Sequence, residues 1–213
     1  MTDEATVVLV HGLWMTGFEF LLLRRRLEGR HGFVTRRFNY QSVRREISHN
    51  AARLNQFVAS IESSVVHLVG HSLGGLVVLQ MLEEHPQQPP GRVVLLGSPV
   101  KGSAAARGVT NLPLGRIFLG RSQAAGLLSG FRSQGTSDRD IGVIAGQLPV
   151  GLGRLVGEVP LPHDGTVSVE ETLWPGATDH VALTVSHTTM IFSRQVADQV
   201  AAFLEQGKFV HER

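Results

Sequence analysis

With 213 residues, 42% of them hydrophobic, the chain can fill one full core but is too short for two comfortable domains, so a single domain over 1–213 is expected. The absence of cysteine rules out disulfides, a thiol nucleophile and a cysteine-bound zinc, and is compatible with folding in a reducing compartment. The 20 Lys and Arg against 18 Asp and Glu leave a net charge of +2, which gives little reason to expect a nucleic-acid partner. The acidic start, MTDEAT, leads into a strand without a charged or apolar leader. No apolar run approaches the roughly 18 residues of a membrane span, so a cytoplasmic protein without stable membrane insertion is expected.

Residues 6–10, TVVLV, read as the first strand, closed by His11-Gly12. The apolar Trp14 and Met15 follow. A helix is expected over about 17–28, burying Phe18 and Phe20 and ending in Arg24, Arg25 and Arg26, whose charge suits a helix C-terminus. A strand over 33–38 and a helix over 45–62, with Ile47, Ala51, Leu54 and Val58 at helical spacing, read as scaffold. Arg36, Arg37, Arg44 and Arg45 between them read as a solvated face.

Residues 65–79, VVHLVGHSLGGLVVL, carry the strongest signal in the chain. Val65, Val66, Leu68 and Val69 form the short apolar run of a strand buried on both faces, and the apolar stretch from Leu73 is long enough for a helix, reaching His85 before Pro86. Between them, Gly70 to Gly74 spell G-x-S-x-G around Ser72. In that pattern the serine occupies a sharp strand-to-helix bend that lifts its hydroxyl clear of the sheet, and glycines are needed where the bend approaches its neighbours. The alternative is a glycine-rich turn whose serine merely caps the helix.

A proline-rich connection over 87–91 leads to a strand at 92–96, followed by the turn Gly97-Ser98-Pro99-Val100-Lys101-Gly102-Ser103. From 104 to 139 the chain is glycine-rich, with Leu112, Leu114, Ile117, Phe118, Leu119, Leu127, Leu128 and Phe131 set among Arg107, Arg116, Arg121 and Arg132. That pattern fits a lid over about 103–140, a dimer contact or irregular core. A strand at 141–145 and a long loop over 147–162 precede His163-Asp164-Gly165, where Asp-Gly is also an ordinary turn pair. The last strand is expected at 181–185, and Ser186-His187-Thr188-Thr189-Met190 leads into a C-terminal helix carrying Ile191, Val196, Val200 and Phe203. No P-loop and no dinucleotide fingerprint occurs, and neither a metal nor an organic cofactor is implied.

Taken together, VVLVHG at 7–12, GHSLGG at 70–75, the GSPVKGS turn and the segments around Asp164 and His187 resemble the α/β-hydrolase family, more narrowly its small serine lipases and esterases. The resemblance implies an α/β fold of about six mostly parallel strands flanked by helices, lacking the N-terminal hairpin of larger members. It also implies roles. Ser72 would be the nucleophile, Asp164 the acid and His187 the base, in the order Ser, acid, His along the chain, with the N–H groups of Leu13 and Leu73 forming an oxyanion hole. His11 would hold its loop rather than transfer protons, and Trp14 and Met15 would line an acyl pocket. Asp179 and Asp140 are rivals for the acid, and His180 for the base. The implied activity is hydrolysis of carboxylic esters, with a small-molecule ester or lipid as substrate; acyl transfer by the same triad and a silent binding module on the same fold are the alternatives. Oligomeric state is not legible.

Overall fold

The computed structural model describes residues 5–123, 126–131, 138–151 and 159–211. Six strands, β1 (Thr6–Val10), β2 (Val34–Phe38), β3 (Val66–His71), β4 (Val93–Leu96), β5 (Ile141–Gly146) and β6 (Asp179–Leu183), form one parallel sheet in the order β2-β1-β3-β4-β5-β6. Among the described residues no hairpin precedes β1. Parallel neighbours cannot be joined by tight turns, so helices carry the chain back between strands and cover both faces.

The two-residue period of the strands divides the core. Val8, Val10, Leu68, Val93, Leu95 and Val143 face α2 (Ile47–Ala59) and α3 (Leu73–Glu84). Val7, Leu9, Val69, Val94, Leu96 and Ile144 face α1 (Leu21–His31) and α7 (Arg194–Gln206), which pack on each other. Strands wanted on both sides read as unbroken apolar runs, which is why β1, β3 and β4 stand out in the sequence.

Three expectations need correction. The first helix does not span 17–28. Gly17 adopts a left-handed conformation (φ 87°), a single 3₁₀ turn covers Phe18–Phe20, and α1 then runs to His31, where Gly32 (φ 71°) ends it. Arg24, Arg25 and Arg26 therefore lie inside the helix, with Arg24 donating to Thr35 Oγ1 (2.8 Å) and Arg26 to the Phe192 carbonyl (2.6 Å). Phe20 is buried, but Phe18 is 71% exposed and lies under the Arg37 guanidinium, 4.2 Å from the ring centroid, because residues two apart on a helical turn point to opposite sides. The last strand begins at Asp179 and ends at Leu183, since its register against β5 pairs Gly142 with Asp179 and Gly146 with Leu183.

Part of the glycine-rich stretch is helical. Ser103 caps α4 (Ala104–Thr110) by accepting from Ala106 N–H at 3.1 Å, and α5 (Gly115–Leu119) and a 3₁₀ turn (Gly120–Gln123) follow. Arg132 and residues 133–137 lie outside the described residues, as do 124–125 and, in the next loop, 152–158. A short α6 (Val169–Thr172) is held by a reciprocal cap between Ser168 and Glu171.

The order of the strands positions the site. The chain steps outward from β1 to β2, returns to the other side of β1 as β3, and continues that way. At such a reversal the connections leave the sheet in opposite directions and open a crevice at the carboxyl ends of the strands. His11-Gly12 follows β1 and Ser72 follows β3, so both open into that crevice.

Candidate active site

Ser72 joins β3 to α3 with φ 54° and ψ −122°, a conformation unfavourable for any residue with a side chain. The surrounding backbone holds it there: its N–H donates to the Leu96 carbonyl (2.8 Å), and its own carbonyl accepts from Gly75 N–H (3.1 Å). The bend is tight enough to decide the flanking residues. A Cβ at position 70 would lie 2.6 Å from Gly75 Cα, and one at position 74 would lie 2.1 Å from the Val10 carbonyl oxygen. The Ser72 side chain makes no hydrogen bond to the helix it precedes, so the capping alternative does not hold. Leu73 is buried as the first residue of α3, where a helix leaves its N–H groups without intrahelical partners.

The loops after β5 and β6 bring Asp164 and His187 together. His187 Nδ1 lies 2.7 Å from Asp164 Oδ2, and the His187 main-chain N–H donates to the Asp164 carbonyl at 2.8 Å. The other carboxylate oxygen, Oδ1, accepts from the N–H groups of Thr166 (2.9 Å) and Val167 (2.7 Å). Asp164 is fully buried. Burial by itself pushes its carboxyl up, but the charge and hydrogen bond of His187 and the two N–H groups outweigh it and leave the carboxyl below the ordinary aspartate value. An ionised acceptor at Nδ1 fixes the proton on that nitrogen and leaves Nε2 free to accept.

Asp164 lies at the end of β5: a bridge between His163 and Ser168 closes the turn that carries it, and a Cβ on Gly146, the last residue of β5, would come within 2.7 Å of Asp164 Cβ. The rivals are engaged elsewhere. Asp140 pairs with Arg92 (3.1 Å), Asp179 accepts from Phe209 N–H (2.8 Å) and meets His211 (3.0 Å), and His180 Nε2 meets Thr172 Oγ1 (3.1 Å).

Ser72 and His187 line one cavity of about 680 Å³, together with Gly12, Leu13, Trp14 and Met15. The far wall comes from α4, α5 and the turn after them, through Ala105, Val109, Leu112, Phe118, Leu119 and Leu127. Among the described residues no Asp, Glu, Lys or Arg lines it. The three described non-glycine residues with positive φ, Trp14, Ser72 and Leu114, all line this cavity, as strained backbone tends to gather at working sites. Trp14 joins the two halves, its indole N–H donating to the Phe118 carbonyl (2.9 Å) with the rings 5.5 Å apart. His11 faces away from chemistry: it is buried, stacks on Tyr40 at 4.3 Å, and its carbonyl accepts from the Tyr40 hydroxyl (2.7 Å). Burial lowers its pKa.

Two contributions escaped the sequence reading. Ala105 and Val109 of α4, which line the cavity, have no motif that distinguishes a cavity wall from ordinary core. His71, in the variable position of G-x-S-x-G, also lines the cavity and reaches the His187 carbonyl. Its place beside Ser72 was the only available signal. No group of three or more His, Cys, Asp or Glu among the described residues is placed to hold a metal ion, and no helix among them is long and apolar enough to cross a membrane.

A parallel αβ sheet with a strained serine at its switch point, in a cavity shared with the histidine of a buried Asp–His pair, is the arrangement of the hydrolases of the α/β class. The alpha/beta hydrolase family model matches residues 7–209, and the chain belongs to that family. Among solved structures, the lipase BlEst2 of Bacillus licheniformis in its mature form superposes with a TM-score of 0.74 at 19% identity, over 96% of this chain and 92% of that one. The metagenomic carboxyl esterase MGS0156 gives 0.66 at 21% identity, over 89% and 66% of the two chains. Carboxylesterase CesB (YbfK) of Bacillus subtilis gives 0.64 at 13%, over 97% and 85%. At these identities the likeness is one of fold. No curated protein matches the sequence.

Proposed function

We propose that this protein is a serine hydrolase that cleaves carboxylic esters with an apolar acyl chain, acting on a small ester or lipid through an acyl-enzyme on Ser72. The observation that carries the reading is the buried Asp164 bonded to His187 in a cavity shared with the strained Ser72. Family membership and the esterases and lipases among the structural neighbours support it.

In this reading His187 Nε2 takes the Ser72 hydroxyl proton as Oγ attacks the ester carbonyl. The negative charge on the carbonyl oxygen is met by the N–H groups of Leu13 and Leu73, each worth ~10²–10³ in rate where such donors have been removed. The tetrahedral adduct collapses, the bond to the alcohol oxygen breaks, and His187 returns the proton to the departing alcohol. Water repeats the sequence on the acyl-enzyme, losing its proton to His187 and releasing the carboxylic acid with Ser72 restored. Asp164 orients the imidazole and stabilises the imidazolium that forms twice in each cycle. The uncharged wall from α4 and α5 favours an apolar acyl chain, because an ionised group there would lose its hydration without gaining a partner. Residues 103–131 thereby act as a cap, and Trp14 and Met15 as part of the acyl pocket.

A fluorophosphonate probe followed by peptide mapping tests the proposal. One adduct, on Ser72, absent in Ser72→Ala and slowed in His187→Ala and Asp164→Asn, is the expected result, together with turnover of p-nitrophenyl esters. A folded protein that takes no adduct and hydrolyses no ester would overturn it.

A further inference from the structure

His71 ends β3, and its ring fills the space between the nucleophile turn and the loop of His187. It is 1% exposed, with its ring centroid 4.9 Å from that of His187, and Nε2 lies 3.0 Å from the His187 carbonyl oxygen. A carbonyl can only accept, so Nε2 carries the proton and Nδ1 is a bare acceptor. That Nδ1 is buried and has no hydrogen-bond partner among the described residues, facing Gly12, where a Cβ would approach it to 3.2 Å. Leaving a buried acceptor unsatisfied is costly, and an apolar side chain of similar size would fill the same space without it. What the imidazole supplies that such a side chain does not is one N–H, directed at the main chain of His187.

The other polar groups of His187 explain what that N–H can do. Its main-chain N–H and its Nδ1 are both held by Asp164, which fixes the base to the acid but leaves the pair unattached to the strand that carries Ser72. His71 is covalently joined to Ser72, so its hydrogen bond ties the His187 loop to the nucleophile turn. We infer that His71 is a positioning residue, setting the placement of the His187 loop relative to Ser72 through the hydrogen bond from its Nε2–H to the His187 carbonyl. The inference rests on the roles proposed above for Ser72 and His187. Burial first, and then the neighbouring charge on His187, pull the His71 pKa down to about 3, so it stays neutral while His187 cycles through imidazolium and adds no second cation beside it.

Three substitutions separate positioning from packing. The amide nitrogen of His71→Gln falls near the place of Nε2 and keeps a donor for the carbonyl, whereas that of His71→Asn falls near Nδ1, and His71→Leu has none. With the Ser72 probe and a soluble ester, His71→Gln is expected to retain kcat within about threefold. His71→Asn and His71→Leu are expected to lose about 10–100-fold in kcat with KM within twofold, in line with the cost of an ångström-scale misplacement. Probe labelling should slow by a similar factor yet still reach one adduct per chain, which a partly unfolded sample would not do. Wild-type rates in folded His71→Asn, or a His71→Gln variant no faster than His71→Asn, would overturn the inference, and that pair decides the matter even where His71→Leu fails to fold. Failure of the wild type to label at all would instead overturn the nucleophile assignment.

Discussion

The floor of the cavity and its far wall are built on different physical terms. On the floor, Ser72, Asp164 and His187 hang from the ends of β3, β5 and β6, and each is held by main-chain hydrogen bonds from a neighbouring loop or strand. Close backbone contact leaves no room for adjustment there, as at Gly70 and Gly74. The described part of the wall, 103–123 and 126–131, is tied down at a few points: Ser103 N–H donates to Leu127 (2.9 Å), Phe131 N–H to Val100 (2.7 Å), Arg121 N–H to Val43 (2.8 Å), and the Trp14 indole to Phe118 (2.9 Å). Its middle is exposed, with Leu114 75%, Ile117 71% and Phe118 50% accessible. A segment with few buried contacts opens at lower free energy than one locked into the sheet. On the proposed function, chemistry that needs fixed geometry would belong to the floor, and tolerance for different acyl chains to the wall.

Substitutions can test that division. Ser72→Ala removes the proposed nucleophile and should leave the fold unchanged, so ester hydrolysis should fall by ~10⁴–10⁶ with every acyl length alike, and stability, followed by urea unfolding, should change by less than about 1 kcal/mol. Asp164→Asn should cost ~10³–10⁴ in kcat by leaving His187 in the wrong tautomer. It should also change the acid response. The folded carboxyl titrates below its unfolded value of ~3.9, so its stabilising contribution is complete above that value and is lost as pH falls toward the folded one. Wild type should thus lose stability below about pH 4 along a limb that the Asn variant lacks, read as the urea midpoint against pH.

Gly74→Ala sets a methyl 2.1 Å from the Val10 carbonyl oxygen, which the floor cannot relieve without separating α3 from β1. A loss of about 3 kcal/mol or failure to fold is expected, measured by thermal unfolding. Leu119→Ala, in the wall, should behave differently: kcat on acetyl esters within about twofold, and a shift of about three- to tenfold in kcat/KM between short and long acyl esters, the size of a methylene-scale change in an apolar pocket. An equal loss on all esters would show that the wall is part of the rigid machinery and would end the distinction.

The strand-to-helix bend at Ser72 was legible because its requirements are local. A strand, a bend that excludes side chains at positions 70 and 74, and a helix appear as fifteen consecutive residues, 65–79. The order of Ser72, Asp164 and His187 followed from the family pattern, but three aspartates stood as rivals. They are separated by partners remote in sequence, Arg92 for Asp140 and Phe209 for Asp179. Phe18 shows the same limit from the other side: an apolar pattern placed it in the core with Phe20, but two residues apart on one turn the rings point opposite ways, and Phe18 lies out under Arg37.

The sequence by itself determined the alternation of strands and helices, the doubly buried strands, the bend at Ser72 and the family, since each depends on side chains a few residues apart and on backbone conformations that only certain residues accept. The tertiary structure decided which aspartate meets His187, which apolar residues wall the cavity, and that His71 reaches the His187 carbonyl. Those contacts join the ends of strands that lie side by side only after the sheet has formed. Their geometry depends on register and loop return, which no local pattern encodes.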